Sequence, residues 1–203
     1  MKVLQLCNKP PYPAVDGGCI AMNNITNGLI DEGIQVKVLT ISTDKHPFQK
    51  NNYTEAYLEK TKIEACYVDT KVNVIDAFAA LVTADSYNIS RFFTPDFNTL
   101  LKNTLEQNKF DVVHIESLFM TPYIDTIRKY SKAKVLLRSH NLEHLIWERL
   151  AESAKNKAKK LYLKHLAKQL KKYEKKILPE IDTVAAITSE DYKRYKKLGC
   201  KTD

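Results

Sequence analysis

The chain has 203 residues, 44% hydrophobic and 28% charged, with a formal net charge of +8, which is ordinary for one sizeable folded soluble domain or two small ones. No stretch approaches about 18 uncharged apolar residues, so a spanning helix is excluded, and Met1-Lys2 runs straight into a strand pattern without a signal-peptide segment. Cys7, Cys19, Cys66 and Cys200 are scattered without Cys-x-x-Cys spacing, which predicts reduced thiols and a cytoplasmic setting.

Lys2-Val3-Leu4-Gln5-Leu6 reads as a strand, followed by a loop from Asn8 to Gly18 that Pro10, Pro11 and Pro13 stiffen. A helix is predicted from Ala21 to Asp31, with Ile25, Leu29 and Ile30 facing inward and Gly33 as its stop, and a second strand follows over Gln35 to Thr40. Strand, loop, helix and strand make the βαβ unit that opens a doubly wound parallel sheet, where ligands bind beyond the carboxyl ends of the strands. The loop is not Gly-x-Gly-x-x-Gly, which disfavours a nicotinamide or flavin dinucleotide. Its adjacent Gly17 and Gly18 let backbone approach a phosphate at the helix N-terminus; the competing reading is a tight turn needing positive φ.

A polar loop over 44–47 leads to a third strand over 63–68. Residues 73–108 are predicted mostly helical: one helix from Asn73 through Ala84, an irregular aromatic join over 88–93, and a second helix opened by Thr94-Pro95-Asp96. The apolar face of that second helix is Phe97, Leu100, Leu101, Thr104 and Leu105. Residues 110–116 form strand four, with His114 as a core or sheet-face residue. A helix opened by Thr121-Pro122 and ending near Tyr130 precedes strand five over 134–138. A long basic helix fills roughly 155–178 and stops at Pro179, strand six covers 182–187, and a last helix runs from Ser189 to Leu198. The alternation predicts an α/β fold, a doubly wound, mostly parallel, Rossmann-like sheet in three layers (α/β/α) over residues 1–203 as one domain. The abrupt end after Lys201 reads as the edge of an excised domain.

Between Lys155 and Lys176 there are ten lysines and one acid, Glu174, and the rest of the chain is close to neutral. Ala158, Tyr162, Leu166, Leu170, Tyr173 and Ile177 recur at near-helical spacing along this segment. It reads as an amphipathic surface helix with a solvated lysine face, or more sharply as an anchor for an anionic membrane surface or a dock for an acidic partner. The absence of a known reading module or an aromatic-interleaved basic patch argues against nucleic acid.

Three strand ends carry candidate chemistry. Arg138-Ser139-His140-Asn141-Leu142-Glu143 follows strand five, where His140 could orient a hydroxyl or donate to a developing oxyanion, with Asn141 and Glu143 adding hydrogen-bond capacity; alternatively His140 and Asn141 cap the next helix. After strand four, Glu116-Ser117 supplies either a carboxylate for a substrate hydroxyl or an N-cap for the helix that follows. After strand six, Thr188-Ser189-Glu190 is either a cap with acids in the first turn or a set of hydroxyls facing the cleft. There is no Asp-x-Asp, no His or Cys cluster with metal spacing, no Gly-x-x-x-x-Gly-Lys-Ser/Thr loop and no Gly-x-Ser-x-Gly elbow.

With these residues in view, the chain resembles the N-terminal, acceptor-side domain of family 4 glycosyltransferases, enzymes of the GT-B fold. The opening strand with its prolines and Gly17-Gly18, strand five ending in Arg138 to Glu143, the long helix bearing Tyr173-Glu174, and Asp182 to Glu190 carry the resemblance. It implies a sugar moved from a nucleotide-sugar donor to a glycan or lipid-linked acceptor with retention of configuration, with no cofactor and no essential metal. It implies that Gly17 and Gly18 approach the donor diphosphate and that His140, as the catalytic candidate, lies near the transferred sugar. Asn141 and Glu143 then line the same pocket, and Glu116, Arg138 and Ser189 join them as acceptor- or sugar-binding candidates. The family's donor-binding half, with its Glu-x7-Glu element, has no counterpart here, so the chain is expected to be inactive alone. The alternative is a noncatalytic α/β binding domain that uses residues 155–178 as its working surface.

Overall fold

In a computed structural model of the chain, residues 1–70, 87–139 and 141–200 are described. The helix expected over 73–84 and the candidate His140 lie outside the described residues. Six strands, β1 (Lys2–Cys7), β2 (Gln35–Ser42), β3 (Glu64–Tyr67), β4 (Val112–Ile115), β5 (Lys134–Ser139) and β6 (Thr183–Ala186), form one sheet in the order β3-β2-β1-β4-β5-β6. All neighbouring pairs are parallel, with Gln5 opposite His114 and His114 opposite Leu136 at the centre. This is the doubly wound Rossmann-like arrangement that the strand–helix alternation predicts.

Period-two alternation sorts the strand residues between two faces. Leu4, Leu6, Val113, Ile115, Val135 and Leu137 enter the main core. There they meet α4 (Pro95–Gln107), through Phe97 and Leu101, and α5 (Ile124–Tyr130), through Ile124 and Ile127. The alternate residue Cys7 packs with Val38, Tyr53 and Ile63 against Cys19 and Met22 of α1 (Gly17–Asp31). Both faces of β1 are therefore buried, which explains its near-continuous apolar run.

Several boundaries differ from those predicted. α1 begins at Gly17 rather than Ala21, because Asp16 caps it by accepting the Cys19 N–H at 2.9 Å. The earlier start sets the inward stripe at Cys19, Met22 and Thr26, with Ile25 only half-buried. A short helix, α2 (Glu55–Thr61), capped by Thr54, occupies a stretch with no apolar period to announce it. The segment around Thr121-Pro122 is a 3-10 turn over Leu118–Tyr123 and becomes α-helical only at Ile124, since the proline cannot donate into an α ladder. The join over 88–93 includes the end of a one-turn helix, α3 (Tyr87–Ser90). Thr94 caps α4 with Pro95 in its first turn, as the sequence predicts.

Between β5 and β6 the chain builds a helical hairpin, α6 (Glu143–Ser153) and α7 (Lys157–Ile177). The inward face of α7 is Leu163, Leu166, Ala167, Leu170 and Glu174, while Tyr162 and Ala158 of the predicted stripe are exposed. Repeated four-residue steps overshoot a full turn by about 40° each, so a stripe counted back by fours from Leu170 rotates toward solvent. The last helix, α8 (Ser189–Lys197), is capped by Thr188. Among the described residues no helix is long and apolar enough to cross a membrane.

Candidate functional site at the carboxyl rim

β1 has β2 on one side and β4 on the other, so the strand order reverses between β1 and β4. The loops leaving those two strands diverge there and open a crevice at their carboxyl ends, the place where such sheets bind ligands.

The β1 loop supplies the end of α1. Lys9 donates from Nζ to both Asp16 carboxylate oxygens at 2.7 and 2.6 Å, while Asp16 Oδ1 also accepts from Cys19 N. The Lys9 hydrogen bonds, aided by the Cys19 N–H, hold the Asp16 carboxyl well below the usual carboxylate range. Gly17 and Gly18 occupy the first turn of α1, where N–H groups have no intrahelical carbonyl to reach. Neither has positive φ, so the tight-turn reading is corrected. A Cβ at Gly17 would meet no atom within 4 Å, whereas one at Gly18 would lie 3.0 Å from Lys9 Nζ. The Asp16 carboxylate thus caps the positive end of the helix dipole, with the Lys9 ammonium beside Gly18. Beside it a small pocket of about 190 Å³ is lined by Pro10, Tyr12, Val15, Cys19, His46 and Pro47. Tyr53 donates its hydroxyl to the Tyr12 carbonyl at 2.5 Å and pins the proline loop over this pocket. Burial pushes the His46 imidazole below its ordinary value, and Lys9 pushes it the same way.

On the α1 face of the sheet a polar row crosses β1, β4 and β5. Thr26 Oγ1 donates to Gln5 Oε1 at 2.7 Å, Gln5 Nε2 donates to Glu116 Oε1 at 2.7 Å, and Arg138 donates to Glu116 Oε2 at 3.0 Å. His114 Nε2 lies 3.6 Å from Glu116 Oε1. Gln5, Thr26 and Glu116 each have 0% exposure. The capping reading of Glu116-Ser117 is met by Ser117, and Glu116 itself faces inward. Ser117 caps the following turn by accepting the Phe119 N–H, and the Glu116 carboxylate is enclosed by internal donors. Arg138, proposed from sequence as a sugar-binding residue, directs one guanidinium nitrogen inward to that carboxylate.

The turn after β5 is held by groups that sequence patterns do not single out. Ser139 Oγ donates to the Asn141 carbonyl at 2.9 Å, and Tyr195 of α8 donates to the same carbonyl at 3.1 Å while contacting Ser139 Oγ. Asn141 itself is exposed. No side chain of the turn caps α6; the Glu174 carboxylate arrives from α7 instead. It accepts the N–H groups of Glu143 at 2.8 Å and His144 at 3.4 Å, and pairs with His144 Nδ1. Glu143 stands half-buried beside it, and burial together with the Glu174 charge pushes its carboxyl up to about 7. Ser189 is exposed in the first turn of α8, beyond β6 at the sheet edge, and Thr188 is the cap. Glu116 and Arg138 are thus joined directly, Gly17 and Gly18 flank the crevice, Asn141 and Glu143 follow β5, and Ser189 sits farthest from the switch point. Among the described residues no group of three or more His, Cys, Asp or Glu side chains could hold a metal ion.

A six-stranded parallel sheet whose strand order reverses between β1 and β4 defines a Rossmann-like α/β domain. The sequence model of Glycosyltransferase Family 4 matches residues 15–203, and the chain belongs to that family. Its chemistry is accordingly glycosyl transfer, with a sugar donor and an acceptor as substrates in general. Among curated proteins, none matches the sequence.

Two measurements check this site. Arg138→Met should lower unfolding free energy by about 3 kcal/mol in urea denaturation, because it strips a cation from a buried carboxylate. Adding Glu116→Gln should recover about 1 kcal/mol or more, and a strictly additive double variant would refute the coupling. Glu143 has a folded pKa of about 7 against an ordinary 4.5, so its contribution to stability is full below pH 4.5 and disappears as pH rises through 7. Glu143→Gln should flatten that part of the stability profile and leave the protein about 1–3 kcal/mol more stable than wild type at pH 8.

Proposed function

We propose that the chain is the acceptor-side half of a retaining glycosyltransferase that moves a sugar from a nucleotide-sugar donor to a glycan or lipid-linked acceptor. What supports this reading is the N-terminus of α1 at the β1–β4 switch point, where Gly17 and Gly18 stand in the first turn without side chains and the Lys9 ammonium lies beside Gly18. Such an end suits a diphosphate, since N–H donors and the helix dipole act together on the anion. The Lys9–Asp16 pair keeps a cation within reach without filling the approach.

In this mechanism the acceptor hydroxyl oxygen bonds to the anomeric carbon as the diphosphate leaves with the electron pair of the anomeric C–O bond and takes up the acceptor's proton. The α1 terminus would stabilise the charge that develops on the diphosphate. No general base is assigned to a described residue. His140 is assigned the sugar-facing role on the strength of the family resemblance, as a hydrogen-bond partner of the transferred sugar. Metal-free departure of the diphosphate belongs to the same proposal, with backbone N–H groups and basic side chains doing the neutralising. Donor selectivity would reside in a donor-binding domain that faces this one.

The proposal extends to a peripheral membrane role through α7. Its lysines are almost all exposed, and Leu161 (73% exposed) and Tyr162 project beside them near the hairpin tip. Cations around projecting apolar side chains are what an anionic bilayer surface accepts.

In the enzyme that includes the donor-binding half, His140→Ala should lower sugar transfer by roughly 10²-fold while leaving the unfolding midpoint unchanged. Radiolabelled sugar incorporation reads the first quantity and thermal denaturation the second. Transfer at the wild-type rate would remove His140 from the reaction.

A further inference from the structure

Between α7, α8 and the start of α6 lies a second groove, of about 320 Å³, that the transfer chemistry does not use. Its walls carry four permanent cations, Lys171 and Lys175 from α7 and Arg194 and Lys197 from α8, and no Asp or Glu is among its lining residues. Two of the four are partly neutralised from outside the groove, Lys171 by Glu148 at 3.7 Å and Arg194 by Glu190 at 3.4 Å and Asp191 at 3.7 Å. Lys175 and Lys197 have no carboxylate partner among the described residues. The floor is apolar, made by Leu142, Leu145 and Leu198. A larger groove of about 470 Å³ on the other side of α7 mixes Asp125 and Glu180 with Lys176 and has no such bias.

Two helices that pack against the same turn thus bring four like charges together. Charges of one sign over low-dielectric walls focus the field and raise the local concentration of counter-ions, unless a bound anion relieves the repulsion. A phosphoryl group fits: its several oxygens accept from lysine and arginine donors simultaneously, and arginine adds a planar fork. The Glu174 carboxylate, buried behind His144, is occupied by the α6 N–H groups and leaves the groove cationic.

We propose that this groove is a phosphate-binding site, taking the phosphoryl group of a ligand whose neighbouring part lies against the leucine floor. It adjoins the turn after β5, so it deepens the glycosyl-transfer reading by giving the acceptor a phosphate, and it rests on that reading for its role but not for the binding itself. The phosphate belongs either to a soluble ligand or to a lipid headgroup.

The test titrates the 203-residue chain with inorganic pyrophosphate by calorimetry and, in parallel, floats it with phosphatidylglycerol vesicles. Wild type is compared with Lys175→Glu/Lys197→Glu, with the charge-matched tip variant Lys157→Glu/Lys160→Glu, and with Gly18→Val, which crowds the α1 terminus. All substituted lysines are surface residues, and unchanged circular dichroism establishes that each variant is folded. The expected result is pyrophosphate binding roughly tenfold weaker in the groove variant and near wild type in the tip variant, while Gly18→Val leaves a binding component that the groove variant still abolishes. Pyrophosphate binding without groove-dependent flotation assigns the phosphate to a soluble ligand, and groove-dependent flotation assigns it to a lipid. Equal loss of pyrophosphate binding in the tip variant would reduce the effect to net charge and overturn the proposal, as would no binding in either arm. Loss confined to Gly18→Val would overturn the groove while leaving the sugar-transfer reading intact.

Discussion

A carboxylate with no solvent exposure, Glu116, joins three parallel strands and a helix at the point where the sheet's strand order reverses. One of its oxygens is held by Gln5 of β1 and the other by Arg138 of β5, while Gln5 in turn receives the Thr26 hydroxyl of α1. A buried ion pair adds little net stability when compared with packed hydrocarbon, but breaking it leaves an uncompensated charge. Slippage of any one of these elements therefore carries a large penalty. The hydrogen bonds from Thr26 through Gln5 and Glu116 to Arg138 tie α1 to β5 across the centre of the sheet.

A second carboxylate does comparable work one layer away. Glu174 reaches from α7 to the first N–H groups of α6, so the hairpin is closed by charge at its base as well as by leucines along its length. Tyr195 ties α8 to the same turn through Ser139 and the Asn141 carbonyl. The turn after β5 is consequently braced from α7 on one side and α8 on the other. The four cations of the basic groove are a by-product of that bracing, since α7 and α8 must both approach the turn to hold it. The same approach that orders the chain creates a concentrated positive field.

Much of the fold was legible in residue order. Strands that are buried on both faces read as apolar runs, and Thr94-Pro95-Asp96 and Thr188-Ser189-Glu190 announce helix starts through local capping chemistry. Local signals failed where a remote partner substitutes for a local one. α6 starts without a capping side chain of its own because Glu174 supplies it from 31 residues away, and nothing near Leu142 could reveal that. The burial of Glu116 was not legible at its strand end because its partners lie 111 residues before it and 22 residues after it. Gly17 and Gly18 read either as a helix N-terminus or as a tight turn with positive φ, and Asp16, by capping α1, draws them into its first turn.

What the sequence determined by itself was the alternation of strands and helices, the concentration of lysines on one helix and the family to which the motif order points. Those properties depend on hydrophobic period, capping residues and charge counts, all of which act over a few neighbours. Only the tertiary structure decided which carboxylates are buried, which cations share a groove and which glycines face open space. These depend on pairing between elements distant in the chain, and a carboxylate looks the same in a sequence whether water or an arginine surrounds it.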